Sequence, residues 1–241
     1  MNAELQASTT CQTCGQVFNY EPIMVFGKDL AISIHKTCED CAEREKRAAK
    51  IHEEAKRKAD IEADIRASIP PDLLDTNIRH RDFNTGLWSA MAKWQPNQES
   101  FWLGIIGQAG KCKTRCMSLL AAKTMRQGVR TVWTTANRLK DASADRNSRE
   151  RATAANAREL LSSCLHAPWL FIDDIGKNEW TPAFESQFFQ ILDHRKNHRL
   201  PLVYSSNASP QAFSQVLTPL NSSPIIGRLL DRTTILDLMP S

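Results

Sequence analysis

The sequence predicts an α/β protein: a parallel sheet between two layers of helices, preceded by a small cysteine-rich module and a charged helix. Three observations carry this. Phe101 to Gln127, FWLGIIGQAGKCKTRCMSLLAAKTMRQ, is an apolar run that breaks at Gly107 and resumes after Thr114 with helical period, through Met117, Leu119, Leu120 and Ala122. Trp169-Leu-Phe-Ile-Asp173-Asp174 is a second apolar run that delivers two carboxylates at its end. Between and after them strand-like and helical stretches alternate, which a parallel sheet accommodates most simply.

Composition allows this architecture. A chain of 241 residues, 41% hydrophobic and 24% charged, suits one domain of ordinary size with a small appendage. No stretch approaches 18 consecutive apolar residues and the N-terminus has no apolar leader pattern, so a soluble, cytoplasmic protein without a membrane partner is expected. The net charge of +4 is compatible with nucleic acid without indicating it. Four of the seven cysteines form two C-x-x-C pairs, a pattern that in a cytosolic chain favours metal over disulfides.

Residues 1–10 are polar and expected to lack structure. Cys11-Gln-Thr-Cys14-Gly15 opens a zinc knuckle, with Gly15 permitting the tight turn behind the second thiolate. Strand-like runs follow (Val17 to Tyr20, Ile23 to Phe26, Leu30 to Ile34), and Cys38-Glu-Asp-Cys41 leads into a helical pattern. A knuckle, a hairpin and two cysteines at a helix start put four sulfurs around one ion, as in treble-clef and ribbon sites. Cys11, Cys14, Cys38 and Cys41 are therefore the expected Zn²⁺ ligands of a structural site, with His35 a bystander. A redox pair, the alternative, lacks the βαβ setting it needs. The module is placed at residues 1–41.

Residues 42–69 read as a charged helical linker, free of Gly and Pro, with Glu43–Arg47 and Glu54–Lys58 at supporting i, i+4 spacing. Its apolar stripe is thin (Ile51, Ala55, Ala59, then Ile61, Ile65 and Ile69), which suits a solvated connector; a partner-binding helix is the alternative. Pro70-Pro71 ends it. The main domain is placed at residues 70–241. Leu87 to Trp94 reads as a helix, Val129 to Thr135 as a strand, and 136–165 as mainly helical. Pro182 to Lys196 is expected to be a helix, Leu202 to Ser206 a strand, and Gln211 to Leu217 a helix; Ile225 to Arg232 then precedes a last strand, Thr234 to Leu238.

Gly107-Gln108-Ala109-Gly110-Lys111-Cys112-Lys113-Thr114, followed by Arg115, lies between strand and helix as a P-loop does. Backbone N–H groups of such a loop wrap a phosphate, Lys113 reaches the β/γ-phosphates, and the Thr114 hydroxyl holds Mg²⁺. The pattern G-x-x-x-x-G-K-[ST] calls for glycine where this chain has Cys112. Glycine there tolerates positive φ and close approach of a ligand; cysteine weakens binding without excluding it.

The P-loop, the acids Asp173 and Asp174 sixty residues on, a strand ending Ser-Ser-Asn207, and Gly-Arg228-Leu-Leu-Asp-Arg232 occur in an order that resembles the AAA+ ATPases of the DnaC/DnaI helicase-loader and IstB group, over roughly residues 70–240. The resemblance implies ATP and Mg²⁺ as cofactors, with Asp173 the acid that orders magnesium through water. It implies Asp174 as the base for the attacking water, standing where many relatives have glutamate. Asn207 is then the polar sensor beside the γ-phosphate, and Arg232 the finger offered to a neighbouring subunit, with Arg228 the alternative. It also implies a nucleotide-dependent homo-oligomer and a replicative helicase, or a transposase, as partner. In the initiator-type relatives an extra helical element after the second strand holds single-stranded DNA; here it would carry Arg138, Arg146, Arg149 and Arg151. A helicase loader is the expected function. A transposition helper and a nucleotide-dependent adaptor with little turnover are the alternatives.

Overall fold

The computed structural model describes residues 7–31, 36–176 and 180–239. The chain divides into two compact units, Met1–Asp60 and Ile61–Ser241.

In the first unit β1 (Ala7–Thr10) pairs antiparallel with β2 (Val17–Tyr20), Ala7 opposite Tyr20 and Thr10 opposite Val17. Residues 7–10 are thus ordered, contrary to expectation. The reason is the knuckle, which returns the chain on itself: the Cys11 N–H donates to Gln16 O (2.8 Å), and Gly15 takes φ 74°. A strand pair closed by a turn needs no apolar face to fix its register. β3 (Met24–Val25) and β4 (Lys28–Asp29) form a second hairpin across Phe26-Gly27, both with positive φ as a type I′ turn requires. Asp29 anchors it, accepting from Tyr20 Oη at 2.6 Å and from the Ile23 and Ala31 N–H groups. Most of the strand expected over Leu30 to Ile34, and His35, lie outside the described residues. Helix α1 (Glu39–Ser68) begins immediately after Cys38, with acids in its first turn and Arg66 in its last, each sign suiting the helix dipole.

In the second unit the elements are α2 (Pro71–Leu74), α3 (Thr85–Lys93), β5 (Trp102–Gly107), α4 (Lys113–Arg126), β6 (Thr131–Thr135), α5 (Ala136–Asp145), α6 (Arg151–His166), β7 (Trp169–Ile175), α7 (Pro182–Asn197), β8 (Leu202–Ser206), α8 (Pro210–Ser214), α9 (Pro219–Leu230) and β9 (Thr233–Leu238). The five strands form one parallel sheet in the order β6-β7-β8-β5-β9.

Strand alternation assigns the two faces. Leu103, Ile105, Phe171 and Val203 pack under α3 and α4, together with Ile65 and Ile69 at the end of α1. Trp102, Leu170, Ile172 and Tyr204 face the opposite layer, α5 to α9. The last turns of the charged helix are therefore core, because Ile61, Ile65 and Ile69 share one face. Gly104 is small because Tyr204 crosses over it: a Cβ there would lie 2.6 Å from the phenol ring. Tyr204 Oη in turn donates to Leu229 O, which holds the end of α9.

Candidate active site

In an open parallel sheet, ligands bind beyond the C-terminal ends of the strands. Here β5 ends in Gly107, Asp173 and Asp174 lie near the end of β7, and Asn207 directly follows β8. A cleft of about 420 Å³ opens over them, lined by Asp72, Leu73, Ala109, Gly110, Lys111, Cys112, Lys113, Thr114, Arg115, Asp174 and Asn207.

The loop after β5 has the backbone that phosphate binding demands. Gly110 and Cys112, on either side of Lys111, take φ 81° and 61°, and such alternation of hand turns consecutive N–H groups to one side. Cys112 thus occupies the left-handed conformation for which the motif specifies glycine. It ends the loop as the residue before α4, whose N-terminus faces the cleft. Gly107 is demanded by space, since a Cβ would meet the Leu238 Cβ at 2.6 Å.

Lys113 is buried, and its ammonium donates to Gly107 O (2.7 Å), Gln108 O (2.8 Å) and Asn207 Oδ1 (2.7 Å). Burial lowers its pKa, opposed by the nearby Asp174 and Asp173 carboxylates. Asn207 spans the site, because its Nδ2 donates to Asp174 Oδ1 at 3.0 Å. Thr114 Oγ1 donates to Asp173 Oδ1 at 3.1 Å. That bond occupies the hydroxyl hydrogen and leaves its lone pairs for a cation. An alcohol beside a carboxylate is a hard oxygen set that fits magnesium. Burial raises the pKa of Asp173, and the Asp174 charge adds to the rise; a bound cation would reverse both.

Beside the cleft, and sharing Cys112 and Arg115 with it, lies a pocket of about 280 Å³ formed by Asp75, Asn77, His80, Asp82 and Phe83. The start of α4 holds this approach segment by its backbone. Cys112 Sγ donates to Asp82 O (3.3 Å) and Arg115 Nη1 to Asp72 O (3.4 Å). Sequence reasoning left residues 71–84 without a role, since nothing in an irregular polar stretch signals a pocket wall.

Arg228 and Arg232 lie elsewhere. Arg232 immediately precedes Thr233, which pairs with Trp102 at the start of β5, whereas the cleft lies past Gly107. Six residues of extended strand separate them by about 20 Å. Arg232 is exposed, with Nη1 on Gln98 O (2.7 Å). Arg228 is ion-paired to Asp193 through Nε (3.0 Å) and Nη2 (2.8 Å) and lies over the Phe189 ring. The buried Glu185, unremarked in the sequence, receives the Thr218 N–H and Asn221 Nδ2, both at 2.8 Å, and so fixes the start of the helix carrying Arg228.

The four other arginines do not form one patch. Arg138 is in the first turn of α5, whereas Arg146, Arg149 and Arg151 gather where α5 gives way to α6, about 12 Å further along the helix axis. Arg146 is tied to Gln187 Oε1 (2.5 Å), while Arg149 and Arg151 are exposed.

In the first unit the sulfurs of Cys11, Cys14, Cys38 and Cys41 all lie within 4.8 Å of one another. Cys14 and Cys38 are 3.7 Å apart, close to the ~3.8 Å edge of a tetrahedron with ~2.3 Å zinc–sulfur bonds. The Cys38 N–H donates to Cys11 Sγ (3.3 Å) and Arg44 Nη2 to Cys41 Sγ (3.1 Å), the outer contacts a thiolate set requires. The donor set fits zinc. Among the described residues no other group of three or more His, Cys, Asp or Glu side chains converges in this way.

Residues 88–239 match the family model of the IstB-like ATP binding protein. No curated protein matches the chain. Among solved structures, DnaI superposes with a TM-score of 0.53 at 19% identity, covering 69% of this chain and 94% of that one. The DnaC helicase loader gives 0.52 at 15%, covering 73% and 98%. The replication initiator DnaA bound to AMPPCP and single-stranded DNA gives 0.51 at 14%, covering 70% and 51%, so the chain spans about half the length of DnaA. At these identities the likeness is one of fold, the AAA+ three-layer sheet. No helix among the described residues is long and apolar enough to cross a membrane.

Proposed function

The chain belongs to the family of IstB-like ATP-binding proteins, and from that premise we propose that it is an ATP-hydrolysing helicase loader of DNA replication, active as an oligomer. The observation that carries the ATPase reading is the convergence of Lys113, Thr114, Asp173, Asp174 and Asn207 on one cleft at the strand ends. The loader reading is supported by the motif order shared with the DnaC/DnaI group and by the cysteine module ahead of the ATPase. In it, residues 1–41 are a zinc module, 42–69 a connecting helix, and 70–241 the ATPase domain.

The residues divide the work by position. The loop N–H groups and Lys113 hold the phosphates, with phosphate oxygens replacing the carbonyls of Gly107 and Gln108 as partners of the ammonium. Bound Mg²⁺ would neutralise charge on the β- and γ-phosphates. Thr114 and Asp173 would hold it, the latter through water. Asp174 accepts the proton of the attacking water, and Asn207 holds Asp174 toward the γ-phosphate. The pocket between Asp75 and Phe83 takes the base. Arg232 acts on a neighbour's nucleotide, since about 20 Å separates it from its own; Arg228 is engaged with Asp193. Arg149 and Arg151, with Arg138 and Arg146 less directly, contact single-stranded DNA through phosphates, an interaction that weakens steeply with salt.

A second reading, a transposition helper, is favoured by the IstB description of the matching family. Capture of a replicative helicase rather than a transposase by the full chain separates the two. For the ATPase itself, Lys113→Ala should abolish nucleotide binding. Arg232→Ala should bind nucleotide normally yet depress turnover of the wild type when the two are mixed. Turnover per chain independent of concentration, with Arg232 dispensable, would overturn action across subunits.

A further inference from the structure

Asp173 and Asp174 are neighbours in a strand, and a regular strand sends neighbouring side chains to opposite faces. Here the strand is not regular. Ile172 pairs with Tyr204, but the next pair is Ile175 with Ser206, so Asp173 and Asp174 together stand opposite the single residue Ser205. This is a β-bulge, uncommon between parallel strands. Asp174 is its extra residue and takes φ 58°, a left-handed conformation that is costly for a side chain other than glycine. The parity of the strand changes across it: Ile172 and Ile175, three residues apart, lie in the same apolar layer.

The bulge leaves Asp174 out of the β7–β8 register, and one side chain takes up the backbone group so released. The Asp174 N–H donates to Ser205 Oγ at 2.9 Å. The same hydroxyl donates its own hydrogen to Asp173 Oδ1. Ser205 is fully buried, 0% exposed, so no water competes for either bond. Its Oγ therefore ties the backbone of one acid to the carboxylate of the other.

We propose that Ser205 is a positioning residue of the site: its hydroxyl fills the bulge and keeps both carboxylates on the nucleotide side of the sheet. Asp173 accepts Ser205 and Thr114 on the same oxygen, Oδ1, which sets the rotation of its carboxylate. Asp174, held in the left-handed conformation, directs its own carboxylate to Asn207 rather than to the apolar layer below. A strand without the bulge would deliver one acid to the cleft and bury the other. The device suits an aspartate at this position, because the turned backbone supplies reach that the shorter side chain lacks. The proposal rests on the reading of the cleft as a magnesium–nucleotide site.

The test compares full-length wild type with Ser205→Ala and Ser205→Thr. Affinity for a fluorescent ATP analogue is measured with magnesium and with magnesium chelated, alongside the thermal midpoint. Ser205→Ala should leave metal-free affinity within about twofold, while the gain in affinity on adding magnesium and the turnover each fall about 10- to 100-fold, the usual effect of removing a ligand's supporting contact. Ser205→Thr, which keeps the hydroxyl, should restore both. A lowered thermal midpoint with an unchanged magnesium gain would reduce Ser205 to packing and overturn the proposal. Should the alanine variant fail to fold, Ser205→Cys carries the same measurement: its weaker donor should give a reduced gain, and an unchanged gain overturns the proposal. Absence of nucleotide binding by the wild type itself would overturn the ATPase reading and this proposal with it. Wild-type binding with a variant of equal magnesium gain removes the proposal alone.

Discussion

The two units of this chain hold themselves together by different means. The second has an apolar layer on each face of a five-stranded sheet. The first has Cys11, Cys38 and Cys41 as its buried cluster, with Phe18 packed against them, and it exposes Val17, Ile23, Met24, Phe26 and Leu30. A unit of this size rarely stabilises itself by burial alone. In place of a core, four sulfurs converge; on the proposed zinc reading, ion binding and folding would be one equilibrium. Both units hold left-handed residues other than glycine, Phe26 in the first and Cys112, Asp174, Arg199 and Arg232 in the second, but only the second places two of them, Cys112 and Asp174, on a cleft.

Zinc removal should break this comparison most visibly. Structural zinc contributes on the order of 10 kcal/mol to folding in small modules. Chelation, or Cys41→Ser, should abolish the hairpins of residues 7–29 and the cysteine cluster, and leave nucleotide affinity unchanged. Elemental analysis of anaerobically purified protein should give one zinc per chain. A loss of nucleotide binding in step with zinc would show that the units do not stand independently.

Arg195 sharpens the comparison from the other side. It is fully buried, and no carboxylate pairs with it among the described residues. Nη1 donates to Cys164 O and Ala167 O, both at 2.9 Å, and Nη2 to Pro201 O (2.5 Å). Two of these carbonyls belong to the end of α6, where the helix dipole favours a cation. Burial lowers the guanidinium to about 10, so it stays charged at neutral pH. Arg195→Leu should leave those carbonyls without a donor and cost about 3 kcal/mol. The thermal transition of the second unit should fall while zinc content stays constant; a shift of under a degree would mean that water satisfies the carbonyls.

How much was legible follows from which interactions leave a period. The strands and helices of the second unit announce themselves by apolar spacing, and the loop from Gly107 to Thr114 and the acids after Phe171 by motif. The thin stripe of Ile61, Ile65 and Ile69 was visible too, although its burial depends on an apolar cluster built with α3, α4 and the sheet. Arg195, Glu185 and Ser205 were not legible. Each is a polar residue whose role is set by backbone groups from another element, and such pairing leaves no trace in local spacing. The bulge left a faint one: Ile172 and Ile175 are both apolar at an odd separation, which an unbroken strand with two distinct faces does not favour.

Cys112 gives the smallest expected effect and the most direct measure of strain at the cleft. Its φ of 61° is costly for a residue with a Cβ, by about 1–2 kcal/mol, and costs glycine nothing. Against this stands the contact of its Sγ with Asp82 O, 3.3 Å, a weak bond to a half-exposed group. Strain exceeds the contact, so Cys112→Gly should raise the stability of the second unit by about 1 kcal/mol. The side chain also lines both the phosphate cleft and the neighbouring pocket, so removing it should tighten nucleotide binding as well. The two readouts need not agree, and their disagreement is informative. If stability rises while nucleotide affinity falls, the thiol earns its place by holding the Asp75-to-Phe83 segment against the loop. A fall in stability would mean that the thiol–carbonyl contact outweighs the backbone strain. Iodoacetamide supplies the check on position: bound nucleotide should protect Cys112 from alkylation, and equal labelling with and without nucleotide would mean that Cys112 does not face the ligand.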